Sequence, residues 1–165
     1  MSAIAYVSTQ WGSIIVASEW LMSHIIARED FRDLAYPDPG YGWQIPTIGF
    51  GRTEGVYRGE RTNREHEKRW LITKLGYLSD SIIELLDGVT LTSNQLDALI
   101  ALVYNIGLGS PTSKRGFYRS TLRAKLNAGD LQGAAREFDR WVISNGKRMR
   151  GLIERRRIER RHFES

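Results

Sequence analysis

The chain has 165 residues, a formal net charge of +5 at pH 7 and no cysteine. This length suits one domain with a buried core, and the five Trp, seven Tyr and five Phe argue against a disordered chain. The lack of cysteine excludes disulfides, thiolate metal sites and cysteine nucleophiles, and the three histidines lie far apart in the sequence. We therefore expect no metal ion and no cofactor.

The N-terminal segment is predicted to be helical. Residues 1–22 are moderately apolar but have no basic leader, and Gln10 and Glu19 interrupt the apolar run. This pattern is not typical of a cleaved signal or of a membrane-spanning helix. We interpret residues 1–24 as a helical extension, part of a helix over 8–30, and expect a cytoplasmic product; a signal anchor is the alternative. One face of the helix would carry Trp11, Ile14, Ile15, Leu21 and Ile25.

Residues 36–60 are predicted to form a small β-lobe. Prolines and glycines cluster at 36–42, where Pro fixes φ and Gly supplies positive φ. The segment from Thr47 to Gly51, Thr-Ile-Gly-Phe-Gly, is typical of a short strand. An irregular β-hairpin is expected here.

Helical periodicity follows, from Thr62 to the C-terminus. Capping boxes begin at Thr62 and Thr92, the first opening a helix to about Leu86 with a break near Gly76. The second opens a helix that should end at Gly107. Its core stripe is Leu96, Leu99, Ile100, Val103 and Tyr104.

Three further helices are predicted over about 117–127, 131–143 and 148–163. The β-lobe and a helical lobe over 62–165 together predict one α+β domain spanning residues 1–165. A cleft is expected where the two lobes meet.

Two carboxylates indicate the candidate chemistry. Glu29 lies at the predicted end of a helix, and Asp38 follows nine residues later at the entry to the hairpin. Glycoside hydrolysis needs one carboxyl group held protonated as general acid and a second kept ionised. Taken alone, such a pair more often consists of solvated surface groups, and Asp38, between two prolines, is also typical of a turn cap.

The residues around this pair resemble phage-type lysozymes, glycoside hydrolase family 24, the endolysins that cleave bacterial peptidoglycan. The family motif of a Glu, then Ala-Tyr-x-Asp, then Thr-Ile-Gly-x-Gly corresponds to Glu29, residues 35–38 and residues 47–51. The resemblance covers roughly residues 25–163 in the family's order. Its later part comprises Tyr104-Asn105-Ile106-Gly107, Ser120-Thr121-Leu122, Asn127, Ala134-Ala135, Glu137-Phe138, Trp141, Gly146-Lys147, Gly151-Leu152, Arg155-Arg156 and Glu159.

The resemblance implies a lysozyme-like fold and a role for each matching residue. Glu29 would donate a proton to the glycosidic oxygen, Asp38 would be the second carboxylate, and Thr47 would help to hold the attacking water. The substrate would be the β-1,4 bond between N-acetylmuramic acid and N-acetylglucosamine in peptidoglycan, and its cleavage would lyse the host cell. The implied substrate-binding residues are Thr53, Tyr104, Asn105 and Ser120.

Three features depart from the family pattern. Asp30 stands where Gly commonly follows the catalytic Glu, and it adds a negative charge beside the proposed acid. The interval of nine residues from Asp38 to Thr47 is longer than in compact members, because residues 41–44 lengthen the hairpin. Arg52 stands where His is frequent; we interpret that His as structural and expect activity to survive.

The basic C-terminal run is predicted to be a mostly solvated helix. Residues 147–165 contain eight Lys or Arg and three Glu, and the rest of the chain is balanced. Glu154 and Glu159 are expected to form surface ion pairs. By family position Arg155 or Arg156 would pair with Glu29, and the other arginines would bind anionic wall or outer-membrane polymers.

Two other classes of function stay open. The arginine-rich helix would bind nucleic acid in one, with steep salt dependence and no effect of Glu29→Gln. In the other, the fold is a non-catalytic or membrane-permeabilising cationic wall-binding module. The main hypothesis is a monomeric lysozyme that binds peptidoglycan and no nucleic acid. It would reside in the cytoplasm of the bacterial host and reach the wall, in the periplasm, after release.

Overall fold

The computed structural model describes residues 5–8, 14–144 and 146–165, with the backbone alone at 5–8 and 14–16. The chain forms two compact units, Met1–Gly76 and Tyr77–Ser165. The described residues combine α-helices with two-stranded antiparallel sheets, so the predicted α+β class is confirmed. No helix in these residues is both long enough and apolar enough to span a bilayer.

The first unit begins with a hairpin in place of much of the predicted N-terminal helix. Strand β1 (Ala5–Ser8) pairs antiparallel with β2 (Ile14–Ala17). The predicted helix over 8–30 is therefore wrong at Ile14 and Ile15, where a β-branched run favours strand. Trp11 lies outside the described residues.

Helix α1 (Glu19–Ile26) is the part of that prediction that is confirmed. The Ser18 hydroxyl caps it by accepting a hydrogen bond from the Leu21 N–H at 3.0 Å. Leu21 and Ile25, both predicted core residues, are buried. The helix is short, and Glu29 follows three residues after its last residue, Ile26.

A second hairpin follows, formed by β3 (Arg32–Asp38) and β4 (Gly42–Gly49). It begins at Arg32, earlier than the predicted lobe over 36–60. After β4 the chain continues in turns, tied to the hairpin by isolated bridges of Leu34 with Arg61 and of Ile48 with Arg52. Buried side chains concentrate at the end of β4 and just beyond it: Thr47, Ile48 and Phe50.

Helix α2 (Arg64–Leu85) begins in the first unit and ends in the second. The His66 N–H donates to Asn63 Oδ1 at 2.9 Å, so Asn63 caps this helix. The predicted capping box at Thr62 is wrong by one residue. The helix also passes through buried Gly76 without the predicted break.

Helix α3 (Ser93–Ile106) is the central helix of the second unit. Both bonds of the predicted capping box between Thr92 and Gln95 are present, and Gly107, with a φ of 80°, ends the helix as predicted. The burial is broader than the predicted stripe, since every residue over 97–103 is buried.

In the second unit, the C-terminal helix α6 (Arg150–Glu164) packs against α3, and the two helices between them pack against one another and, in the case of the second, against α6. Ser120 caps α4 (Thr121–Asn127), which therefore starts later than the predicted 117. Helix α5 (Leu131–Glu137) and a short 3-10 turn (Phe138–Arg140) end before the predicted 143, because Ile143 enters a small hairpin. That hairpin consists of β5 (Ile143–Ser144) and β6 (Lys147–Arg148), and α6 follows.

Helix α6 is not the mostly solvated helix that the sequence predicts. Arg155, Arg156 and Glu159 are buried, and Glu159 Oε1 accepts hydrogen bonds from Arg155 Nε at 3.0 Å and from an Arg156 NH2 group at 2.9 Å. The predicted surface pairing of Glu159 is therefore wrong, whereas Glu154 and Arg157 do form an exposed pair at 3.9 Å. These buried charges are shielded from water, and the fold tolerates them because each charged group lies within hydrogen-bond distance of an opposite charge.

Candidate active site

Glu29 follows the last turn of α1. Its backbone N–H donates to the Ile25 carbonyl at 3.0 Å, which ties the residue to the end of the helix. Glu29 is half-buried, whereas the neighbouring Asp30 is exposed.

Asp38 ends β3 and caps the turn that follows. Its Oδ1 accepts hydrogen bonds from the Gly40 N–H at 2.7 Å and from the Tyr41 N–H at 3.0 Å. The turn-cap interpretation is therefore confirmed, and it is compatible with chemistry. The two bonds fix the orientation of the carboxylate, and no hydrogen-bond partner reaches Oδ2 from the described residues. That oxygen is the one available to water or substrate.

Thr47 lies directly opposite Tyr36 in the register of the second hairpin. It is buried, and its hydroxyl donates to the Ile45 carbonyl at 3.4 Å. The register pairs Pro37 with Pro46 and Asp38 with Gly42, so three residues of β4 have no partner on β3. The additional residues between Asp38 and Thr47 are accommodated at this irregularity, so Thr47 keeps Tyr36 as its partner on β3.

The three unpaired residues, 43–45, carry an exposed aromatic side chain. The guanidinium of Arg58 lies over the Trp43 ring, 4.8 Å from its centroid. The extra length of the hairpin is thus held by a contact with the loop beyond β4.

Tyr36 links the two carboxylates electrostatically. Burial raises the pKa of the Tyr36 hydroxyl, the negative charge of Glu29 raises it further, Arg32 lowers it, and the charges of Asp38 and then Asp30 raise it by smaller amounts. The two candidate carboxylates therefore both lie within Coulomb range of one hydroxyl. Tyr36 was present in the sequence motif, but no role could be assigned to it from sequence.

A buried ion pair supports the hairpin from α2. Arg52 Nε lies 3.2 Å from Glu67 Oε2, and one Arg52 NH2 group donates to Glu67 Oε1 at 3.0 Å and to Glu60 at 2.7 Å. Burial raises the pKa of Glu67, but hydrogen bonds from Arg52 and then from Thr62 and His66 outweigh it and hold the pKa below its ordinary 4.5. Arg52 is therefore structural, as the sequence predicts for this position.

The second unit contains a cavity of about 680 Å³ that includes one predicted substrate-binding residue. Asn105, exposed at the end of α3, lines it, whereas Tyr104 beside it is half-buried and is not among the lining residues. Two guanidinium groups and an indole also line it, a combination suited to a polar ligand with ring faces. The lining residues are Asn105, Ile106, Arg115, Gly116, Arg140, Trp141, Ile143, Ser144, Gly146 and Leu152.

Ser120 and Thr53 lie elsewhere. Ser120 lines a separate cavity of about 560 Å³ beside α4. Its hydroxyl accepts from the Arg123 N–H at 3.1 Å and donates to the Phe117 carbonyl at 2.8 Å, so it is engaged as a cap. Thr53 is exposed in the turns after β4. The structure thus pairs Thr47 with Tyr36 across the hairpin, and it does not place Ser120 in the cavity of Asn105.

Comparison with known proteins identifies the family. The model of the family described as phage lysozyme matches residues 27–159, which include Glu29, Asp38, Thr47 and Asn105. The chain belongs to the phage lysozyme family. It is 37% identical over 123 residues to an endolysin of Acyrthosiphon pisum secondary endosymbiont phage 1, covering 72% of this chain and 80% of that protein. An endolysin of Bacillus phage B103 is 44% identical over 118 residues, 71% of this chain but only 42% of its own length.

A solved structure supports the same assignment. The muramidase domain of SpmX from Asticaccaulis excentricus superposes with a TM-score of 0.76 at 28% identity, covering 90% of this chain and 97% of that domain. The lysozyme-like fold expected from the sequence is confirmed. As a phage lysozyme, the protein is an endolysin of the peptidoglycan-hydrolysing type.

Arg115 and Arg140 line the cavity, although no sequence pattern indicated a role for them. Both stand among many arginines of a basic chain, and only their position beside Trp141 and Asn105 distinguishes them. A lysozyme substrate carries sugar hydroxyls, amides and peptide carboxylates, to which arginine donates well.

Proposed function

We propose that this endolysin is a muramidase of glycoside hydrolase family 24 that cleaves the β-1,4 bond between N-acetylmuramic acid and N-acetylglucosamine. Glu29 is the proton donor and Asp38 the second carboxylate. The observation that carries the proposal is the family match over residues 27–159, which includes Glu29, Asp38 and Thr47; the pairing of Thr47 with Tyr36 in the hairpin is consistent with it.

The chemistry divides the work between the two carboxyl groups. Glu29 gives its proton to the glycosidic oxygen as the bond to the anomeric carbon breaks, so that Glu29 becomes ionised. The charge of Asp38 stabilises the positive charge that develops on the sugar. Water held between Asp38 Oδ2 and the Thr47 hydroxyl attacks the anomeric carbon and passes its proton to Asp38. Proton exchange with solvent restores both groups.

Substrate binding in this proposal includes the cavity of the second unit. Asn105 contributes a side-chain amide to the 680 Å³ cavity, which is large enough for sugar or peptide groups of the wall polymer. Thr53, Tyr104 and Ser120 are the other substrate-binding residues of the proposal. Residues 1–165 then act as a single catalytic domain.

The biological setting of the proposal follows from the endolysin family. The enzyme stays in the cytoplasm of the bacterial host until release and then cleaves the wall from the periplasm, which lyses the cell. It acts as a monomer, binds peptidoglycan, and needs no nucleic acid, metal ion or cofactor.

Digestion of purified peptidoglycan, read by mass spectrometry, tests the reaction. The wild type is expected to release reducing muramic acid ends, and Glu29→Gln is expected to lower the rate by about 10²–10⁴-fold, the range for losing a general acid. Asp30→Asn, which removes the exposed neighbouring carboxylate, is the matched control and should stay within about threefold of the wild type.

The alternative outcomes are distinct. Anhydro-muramyl ends would keep Glu29 as acid but replace hydrolysis by transglycosylation. No cleavage by the wild type, with an active control enzyme on the same wall, would refute the proposal.

A further inference from the structure

Exposed apolar and basic side chains lie together where the β5–β6 hairpin joins α6. Ile143 is 63% exposed, Met149 46% and Ile153 40%, high values for large hydrophobic side chains. Arg148, Arg150 and Arg157 are exposed as well. We call this set the junction patch: Ile143, Arg148, Met149, Arg150, Ile153 and Arg157.

Backbone pairing explains why these residues are neighbours. Ile143 pairs with Arg148 across the small hairpin. The Met149 N–H donates to the Val142 carbonyl at 2.9 Å, which ties the start of α6 to the hairpin. Met149, Ile153 and Arg157 then follow at intervals of four along the helix, and such positions lie on one helical face.

The opposite side of α6 faces the interior of the second unit. Arg155, Arg156, Glu159 and Phe163 are buried, and α6 packs against α3. The helix is thus amphipathic in an unusual sense, because part of its charge is inside and apolar side chains remain outside. The arginine-rich sequence alone did not predict this division.

We infer that the junction patch is an interaction surface for an anionic lipid bilayer. Charge complementarity selects the partner, because the patch combines three arginines with three apolar side chains. The two exposed acidic residues of α6 are each paired, Glu154 with Arg157 at 3.9 Å and Glu164 with Arg160 at 3.0 Å. Neighbouring Lys147 and Arg161 add to the positive potential. Apolar side chains enter the headgroup region while cations contact lipid phosphates, a division of labour that a soluble polyanion does not require.

This inference stands apart from the proposed catalysis. Ile143 also lines the cavity of Asn105, whereas the five other members of the patch, among them the four that are substituted below, do not, and the candidate carboxylates belong to the first unit. Binding to a bilayer next to the wall would hold the enzyme close to its polymeric substrate and raise its local concentration there.

Vesicle co-sedimentation of the full chain tests the inference. Vesicles of phosphatidylethanolamine and phosphatidylglycerol at 3:1 are expected to bind the wild type and the Glu29→Gln variant equally, and pure phosphatidylcholine at least tenfold more weakly. The double variants Met149→Ser/Ile153→Ser and Arg148→Gln/Arg150→Gln should each weaken binding about tenfold or more. The first removes apolar side chains that enter the headgroup region. The second removes two cations, each of which contributes about fivefold to the affinity for the anionic surface.

Matched controls come from exposed residues elsewhere in the chain. Tyr77→Ser/Ile83→Ser removes two exposed hydrophobic side chains of α2, and Lys68→Gln/Lys114→Gln removes two exposed cations. Both should bind within about twofold of the wild type, and circular dichroism melting verifies that all variants fold.

Three results would overturn the inference. One is no binding of the wild type to the anionic vesicles. Another is equal weakening by the lysine controls, which would indicate diffuse charge attraction. The third is undiminished binding by Met149→Ser/Ile153→Ser, which would favour an anionic wall polymer over a bilayer.

Discussion

Thr47 lies directly opposite Tyr36 in the hairpin, although it follows Asp38 only after eight intervening residues. Ladder pairing, rather than the length of the intervening chain, therefore sets its position. The charges of Glu29 and Asp38 also raise the pKa of the Tyr36 hydroxyl. Tyr36 is thus connected with Thr47 by strand pairing and with the two carboxylates by electrostatic interaction. A rigid hairpin is a suitable support for groups that must keep their geometry during a reaction.

Substitutions of Asp38 should separate its charge from its role in the turn. Asp38→Asn keeps an oxygen that can accept from the Gly40 and Tyr41 N–H groups but removes the negative charge. We expect kcat to fall by about 10² or more while stability changes little. Asp38→Ala should lose activity and also about 1 kcal/mol of stability. Wall turnover and thermal melting measure the two effects, and an active Asp38→Asn would contradict the role of the charge.

Substitutions of Asn105 and of Ser120 are expected to affect different properties, substrate binding in the first case and stability in the second. Asn105→Ala should raise the KM for soluble peptidoglycan fragments about tenfold and leave stability unchanged, because its exposed side chain lines the cavity. Ser120→Ala should lower the free energy of unfolding by about 1 kcal/mol, since it removes the cap of α4. Steady-state kinetics and chemical unfolding of both variants make the comparison. A raised KM with normal stability in Ser120→Ala would restore its predicted role in substrate binding.

Gly49 is required by its surroundings as well as by its backbone. Its φ is 64°, and a Cβ at this position would overlap the Glu67 side chain. Gly49→Ala should destabilise the protein by about 3 kcal/mol or more, from left-handed backbone strain together with disruption of the buried ion pair. Gly55→Ala, where φ is 70° and the added Cβ meets nothing within 4 Å, should cost only about 1 kcal/mol. Equal unfolding free energies for the two variants would show that the overlap is relieved.

The ion pair of Arg52 and Glu67 should make stability fall in acid. The folded-state pKa of Glu67 lies below its ordinary 4.5, so its contribution is complete above that pH and is lost as the pH falls through the lowered value. Glu67→Gln should lose about 3 kcal/mol at pH 7, because Arg52 would remain buried with Glu60 as its remaining charged partner. The difference from the wild type should shrink below about pH 4.5.

Denaturant unfolding at pH 7, 5 and 3 measures this dependence. Glu65→Gln is the matched control on the same helix, because Glu65 pairs with Arg69 at the surface, where both side chains are mostly exposed. It should change stability by less than about 1 kcal/mol at each pH. A pH-independent loss in Glu67→Gln would exclude the linkage.

Local signals predicted the parts of the fold that depend on local chemistry. The capping box of Thr92 and Gln95 and the glycine at 107 defined α3, because each acts within one turn of helix. The strand at Ile14 and Ile15 was missed, since a short apolar run is compatible with either strand or helix. The candidate site was likewise predicted only where a motif carried it, at Glu29, Asp38 and Thr47. Burial of Arg155, Arg156 and Glu159 depends on tertiary packing against other helices, which no periodicity of charges reveals.

The unpaired stretch of β4 has a consequence for how this hairpin can change. Pairing resumes at Pro37 and Pro46, so residues inserted or removed between Gly42 and Pro46 alter the tip without shifting the register of Thr47. Lengthening such a segment costs little, about 0.6 kcal/mol per doubling. The length and the aromatic surface of the tip, which here includes Trp43, can therefore change by mutation while Thr47 keeps its pairing with Tyr36.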